Sequence, residues 1–290
     1  MTEEDAHEFE EPFADPVFMD VLGPLVARSP AMFGFTLKDL RTRSSRRTEM
    51  SNATIDPQRP VGELAREVPA YTRVFEAAGI DYCCGGDASL AMACDQAGVN
   101  LDDVREDLAD VQTDDAQAID WDDLADLIDD VVETHHQYLR EELPALEGLV
   151  RKVARVHGEN HPELEALRAA YLALAPAMKA HIREEEEEVF PIIEKLDRGD
   201  SLSDAERRRL REVIEEMEAD HEETAELLDL IAELTDGYTV PADACPSYES
   251  MIERLDALER DTHEHVHKEN NVLFVEAETK LSDGVESRNS

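Results

Sequence analysis

Two residue pairs in the C-terminal half stand four apart, His181 with Glu185 and His265 with Glu269. On an α-helix that spacing projects both side chains from one face, so one helix can offer an imidazole and a carboxylate to a single cation. His181 shares a stripe with Leu174, Met178 and Val189, and His265 and Glu269 share theirs with Leu258 and Val272. His221 follows Ile214 and Met217 and precedes Thr224 and Leu228, again at core spacing. Further upstream two neighbours compete. His136 has Val132, Leu139 and Leu143 at −4, +3 and +7, whereas His135 has Val131, Tyr138 and Glu142, a comparison that favours His136.

A single inward histidine is ordinarily a core residue bonded to a backbone carbonyl. Several imidazoles buried with two carboxylates are different, because each unpaired buried charge costs several kcal/mol. A shared cation is a simpler explanation than a metal-free bundle. Imidazole and carboxylate without thiolate suit iron, manganese or zinc. Six ligands exceed the roughly four that one zinc takes, whereas two metals use them all, with each glutamate bridging and two histidines on each ion. An added oxide or hydroxide bridge leaves each ion five-coordinate, with an open position for a diatomic gas or a thiolate. His135, His157, His161, His263 and His267 lack a comparable stripe or partner carboxylate and read as surface groups or supports for the ligands. In the run Glu184 to Glu188 only Glu185 is in register with a histidine; the rest read as solvated face.

The elements that must position these groups are helical. Periodicity dominates about 121–157, 163–196, 203–235 and 248–281, separated by short connections at His157-Gly158, Arg198-Gly199-Asp200, and Asp236-Gly237 to Pro246. Long helices and short loops predict an all-α, up-down-up-down four-helix bundle over 120–282. Residues 60–111 read as a separate small helical domain. There Leu64, Val68, Tyr71, Val74 and Phe75 recur at helical spacing, Gly79 suits a helix stop, and Gly85-Gly86 supplies a turn. Residues 1–59 show no sustained period and contain the basic patch Arg41 to Arg47; Met50 is a candidate true start.

That small domain carries Cys83 and Cys84. A disulfide between adjacent cysteines is strained and easily reduced, so labile redox or iron-transfer chemistry at exposed thiols is the functional expectation. Cys94 fits core packing beside Leu90 and Ala91, and Cys245 lies in a loop expected to reach the mouth of the bundle.

Charge narrows the partners. Asp and Glu outnumber Lys and Arg by 70 to 28, a formal net charge of −42, although 42% of the chain is hydrophobic. Such a surface repels nucleic acid and anionic lipid, and it destabilises the compact state unless salt screens it. The excess runs through every segment after about residue 85, which points to a salt-rich cytoplasm. The opening MTEEDAHEFEE lacks the basic region of a secretory signal, and the apolar stretch from Val17 to Leu37 is broken by Asp20, Pro24, Arg28 and Pro30.

From about residue 60 to 280 the chain resembles the di-iron iron–sulfur cluster repair proteins, the repair-of-iron-centres family. The resemblance rests on VGELAREVP, VFEAAGIDYCCGGDASLAMAC, HHQYLREELPAL, HIREEEEEVFPII, MEADHEE and HVHKENNVLF. It implies a hemerythrin-like bundle with His136, His181, Glu185, His221, His265 and Glu269 as ligands of two non-haem irons joined by an oxo or hydroxo bridge, and so resolves His136 over His135. It further implies repair of clusters damaged by nitric oxide or oxidants, with damaged iron–sulfur proteins and an electron donor as partners. Iron donation, reduction of nitric oxide at the centre and a homodimer formed through the cysteine domain are also implied. The competing function is a hemerythrin-like binder or sensor of oxygen, nitric oxide or iron; an oxygen carrier would need a further ligand such as His135 or His267. Three departures stand out: Asp87 where relatives often carry a basic residue, the unmatched first 59 residues, and the unusually acidic surface.

Far-UV circular dichroism should show a fold that forms in multimolar salt and loosens on dilution; a signal indifferent to salt would overturn the salt-adapted reading.

Overall fold

The computed structural model describes residues 55–111 and 123–286. The expectations for residues 1–54, including a start at Met50, lie outside them.

Four short helices come first: α1 (Val61–Glu67), α2 (Thr72–Ala78), α3 (Leu90–Ala97) and α4 (Leu101–Asp110). Local chemistry marks their ends. Ser89 and Asn100 cap α3 and α4 by accepting backbone N–H groups of the first turn. Gly79 and Gly98 stop α2 and α3 at φ 64° and 69°, a region that costs glycine little. Val61, Leu64, Phe75, Ile80, Tyr82, Leu90, Cys94, Val104 and Leu108 bury one apolar cluster among them. Among the described residues there are no strands, only an isolated bridge between Pro60 and Ser89.

Four long rods follow, within a few residues of the ranges read from periodicity. The first joins α5 (Leu124–Val131) to α6 (Gln137–His157), and the second joins α7 (Glu163–Glu184) to α8 (Phe190–Asp197). The third is the unbroken α9 (Asp204–Leu234), started by a reciprocal capping box between Ser203 and Glu206. The fourth joins α10 (Pro246–Lys268) to α11 (Phe274–Glu286).

Each of the three junctions is a π turn, at Val132–His136, Glu185–Val189 and Glu269–Leu273. In each the closing N–H, of Gln137, Phe190 or Phe274, bonds the carbonyl five residues back. A π turn admits one extra residue and so rotates the following face by about 100° against the preceding one. This corrects two sequence expectations. Val132 and Val272, placed on inward stripes by α-helical spacing, are only partly buried, while Val131 and Leu273 are fully buried instead.

The bundle core is divided in two. One cluster gathers Leu139, Leu143, Leu146, Leu174, Met178, Ile182, Leu228 and Leu258; the other gathers Leu127, Val131, Val189, Phe190, Ile214, Met217, Leu273 and Phe274. Along every rod the change from one cluster to the other falls at the histidines and glutamates, which therefore occupy a polar layer between two apolar ones.

The small domain meets the bundle at the third π turn. Asn271 Nδ2 donates to the carbonyls of Tyr82 and Cys83 at 3.3 and 3.0 Å. Its Oδ1 lies so close to the backbone of Gly62 and Gly86 that a Cβ there would stand 2.2 and 2.1 Å from it. Gly86→Ala is therefore expected to displace Asn271 and destabilise the fold by about 1–3 kcal/mol in urea unfolding. In an Asn271→Ala background the same change should cost much less; equal costs in both backgrounds would mean that this contact is not the constraint.

Candidate metal centre

His136 ends the first π turn, Glu185 opens the second and Glu269 opens the third. His181 and His265 lie four residues ahead of the two glutamates, and His221 comes from the unbroken α9. The structure brings all six groups expected from the sequence into the polar layer. Five are essentially buried, with both glutamates at 0% exposure, and His181 is 11% exposed at its side chain.

The donor atoms divide into two sets that share both carboxylates: His136, His265, Glu185 and Glu269, and His181, His221, Glu185 and Glu269. Within each set all atoms lie within 4.8 Å of one another. His136 Nε2 and His265 Nε2 are 3.1 Å apart, and His181 Nε2 and His221 Nε2 are 2.9 Å apart. Glu185 turns Oε2 toward His136 at 3.3 Å and Oε1 toward His181 at 3.2 Å. Glu269 does the converse, with Oε1 at 3.0 Å from His265 and Oε2 at 3.2 Å from His221. Each carboxylate thus spans both sets.

Both oxygens of Glu185 and Oε2 of Glu269 are buried without a hydrogen-bond partner. Imidazole nitrogens stand beside them, but without the alignment a hydrogen bond requires. Orphaned buried carboxylate oxygens are rare and costly, and a cation between nitrogen and oxygen satisfies both. Protonation is the only other remedy at hand. Burial and repulsion from Glu269 push the Glu185 carboxyl up, but His181 and His136 prevail and hold it below the usual carboxylate range. Burial likewise raises Glu269, yet His265 and His221 hold it well below that range. His181 is driven well above the ordinary imidazole value, since Glu185 and Asp220 outweigh its burial. The donor set fits two divalent transition metals, which would replace those protons.

Two of the outer ring nitrogens are also held. His136 Nδ1 is 2.7 Å from Glu186 Oε1, which Arg140 also binds, and His221 Nδ1 donates to Asn270 Oδ1 at 2.8 Å. His181 Nδ1 faces Asp220 Oδ2 at 3.5 Å without a hydrogen bond. Glu186 and Asn270 thereby fix the tautomer that leaves Nε2 of His136 and His221 free to ligate. Asn270 and Glu186 were missed in the sequence because their only signal was adjacency to a ligand.

Two of the other histidines, His135 and His267, are buried, and His263 is half-buried. His135 stacks on His265 at 5.3 Å and 10°, with Nδ1 at 2.9 Å from Asp261 and Nε2 at 2.9 Å from Lys268 Nζ. His267 contacts Asn271 and the Tyr82 ring, and burial lowers its pKa to about 4. His263 lies 6.4 Å from the same ring, and burial lowers it too.

The turn that carries Cys83 and Cys84 also differs from expectation. Cys83 is buried and Cys84 only partly exposed, because Asp81 ties the turn inward. Its Oδ1 accepts the N–H groups of Cys83 and Cys84, both at 3.0 Å, and its Oδ2 accepts that of Gly85 at 2.8 Å. The neighbouring Cys84 thiol and burial push the Cys83 thiol well up, so Cys83 stays neutral. A cavity of about 530 Å³ opens between this turn and the bundle, lined by Cys83, Cys84, Glu218, Glu222, Asn270 and Asn271. Cys94 is core, as expected. Cys245 does not reach the polar layer; it packs on the first bundle cluster, near the His157 end of α6, about 30 Å along that helix from His136.

A shared bridge and a terminal ligand predict different losses. Glu185→Gln should remove metal from both positions, lowering content from about two ions per chain to below one, whereas His265→Ala should leave about one. Metal analysis of folded variants checks this, and equal losses would argue against bridging.

Residues 57–112 match a family model described as a domain of unknown function, DUF542, and residues 127–277 match the hemerythrin HHE cation binding domain. The chain is 35% identical to the iron–sulfur cluster repair protein ScdA of Staphylococcus haemolyticus, over 74% of this chain and 95% of that one. It is 34% identical to the iron–sulfur cluster repair protein YtfE of Salmonella newport, over 75% of this chain and 96% of the relative. With the hemerythrin model covering more than half of its length and relatives matched almost end to end, the chain belongs to the iron–sulfur cluster repair protein family.

Proposed function

We propose that this protein repairs damaged iron–sulfur clusters in the cytoplasm, with a two-iron centre in residues 120–282 and the thiols of residues 60–111 acting together. The observation that carries the reading is the pair of fully buried carboxylates, each directing its two oxygens to different histidine pairs. His136 and His265 would hold one iron, His181 and His221 the other, and Glu185 and Glu269 would bridge them. Iron held there would supply redox chemistry and a place for nitric oxide or oxygen to bind.

The residues around the site have distinct tasks in this proposal. Glu186 and Asn270 orient His136 and His221, the Asp220 carboxylate attracts His181, and the two apolar layers exclude water. Cys84, the more exposed thiol, meets the client protein or an electron donor, while Cys83 holds a proton behind it. Iron donated to a client is cargo, and the acidic lining contributed by Glu218 and Glu222 suits a departing cation. Reduction of nitric oxide at the centre is a compatible second activity, and a homodimer through the cysteine domain is compatible with this division of labour.

The oxygen-carrier alternative requires a fifth histidine at the metals. Both ring nitrogens of His135 are engaged by Asp261 and Lys268, His267 packs on Asn271 and the Tyr82 ring, and neither belongs to either donor set.

The test is complementation of a repair-deficient strain, reading recovery of an iron–sulfur enzyme after nitric oxide exposure. Cys84→Ser is expected to lower recovery about tenfold, equivalent to about 1.4 kcal/mol, with iron content unchanged, and Cys83→Ser to lower it less. Full recovery with both cysteines replaced would leave an iron or nitric oxide binder as the better reading.

A further inference from the structure

A second cluster of ligand-type side chains closes the opposite end of the bundle. His157 is the last residue of α6, His161 lies in the turn before α7, and Asp243 and Cys245 lie in the loop before α10. Two chain segments distant in sequence thus bring together imidazole, imidazole, carboxylate and thiol, spaced His-x3-His and Asp-x-Cys. His157 Nε2 is 3.2 Å from Cys245 Sγ, and His161 Nε2 is 3.2 and 3.3 Å from the two oxygens of Asp243. Both rings rest on Tyr248, at centroid distances of 5.3 and 5.4 Å.

We propose that His157, His161, Asp243 and Cys245 form a further metal site, for one divalent transition cation of the zinc type.

Three independent features support it. First, each pair already stands at the separation two ligands adopt on one tetrahedral ion, given bond lengths of about 2.0–2.3 Å. Second, His161 Nδ1 is 2.9 Å from Glu163 Oε1, the same carboxylate support that Glu186 gives His136 in the two-metal layer. Third, Cys245 occupies the N-cap of α10 and caps nothing with its side chain, although Ser, Thr, Asp and Asn serve that position better. A thiol is also a poor hydrogen-bond partner for an imidazole. Ligation explains why a cysteine stands there, and capping does not.

The two pairs stand apart: their imidazole rings are 6.4 Å apart, against 4.9 and 4.7 Å for the paired rings of the two-metal layer, and no three of the four donor atoms lie within 4.8 Å of one another. The proposal therefore requires the pairs to close on the cation, with Asp243, whose side chain is 63% exposed, free to follow. The result is a staple between the α6–α7 turn and the α9–α10 loop, with the negative end of the α6 dipole at the cation.

The experiment uses full-length, iron-loaded protein in a Cys83→Ser, Cys84→Ser background, titrated with Co²⁺ alone. A thiolate-to-cobalt charge-transfer band saturating at about one ion per chain is expected, since the two-metal layer has no thiolate. Cys245→Ser should abolish the band, and His157→Ala, His161→Ala and Asp243→Asn should each weaken binding tenfold or more, with iron content and far-UV dichroism unchanged. Zn²⁺ should raise the melting temperature of the parent and not of Cys245→Ser. A missing band, or one that survives Cys245→Ser, overturns the site. Indifference to the His161 and Asp243 changes overturns the four-ligand assignment.

Discussion

Two carboxylates held within a few ångströms of each other and removed from water are the constraint on which this fold turns. Without compensation they would cost more than a domain's ordinary margin of stability allows. The chain surrounds them with four imidazoles and confines the whole set to one layer. Apolar clusters close that layer above and below, so the same leucines, valines and phenylalanines that stabilise the bundle also keep the polar layer dry. Stability and site formation are therefore two aspects of one packing arrangement.

Placing six donors in one layer creates a problem of register that straight α-helices do not solve. A helix side chain that points at the layer has its apolar neighbours at fixed angles, and these do not all suit the packing on both sides. The three π turns absorb the mismatch where it arises, each beginning or ending on a donor. Such turns give up regular hydrogen bonding and are kept where the tertiary structure repays it, commonly at functional sites. The unbroken α9 contributes only one donor and needs no such adjustment.

The third π turn also joins the two parts of the molecule. Over three consecutive residues, Glu269 enters the polar layer, Asn270 orients His221, and Asn271 grips the backbone of the cysteine turn. Gly62 and Gly86 matter here because only a missing Cβ lets the turn approach Asn271 closely. The thiols are thereby held against the wall of the polar layer by backbone contacts, while Asp81 ties down the turn that carries both.

The helical rods, their order and the inward His181, His221 and His265 were legible in the sequence, because 3.6-residue periodicity and i, i+4 spacing are local properties of the chain; the burial of His135 and His267 was not. Charge and composition were legible for the same reason. Which of His135 and His136 enters the layer was only weakly marked, and the burial of Val131 and Leu273 in place of Val132 and Leu273's neighbour Val272 was not marked at all. A π turn is chosen by packing between rods, and no local pattern in Val132–His136 or Glu269–Leu273 announces it. Likewise the sequence placed Cys83 in a glycine-rich turn, but its burial depends on Asp81 folding back and on Asn271 arriving from 188 residues away. The sequence by itself determined the helices and the chemical types available; only the tertiary structure decided which atoms face one another, because that depends on contacts between segments far apart in the chain.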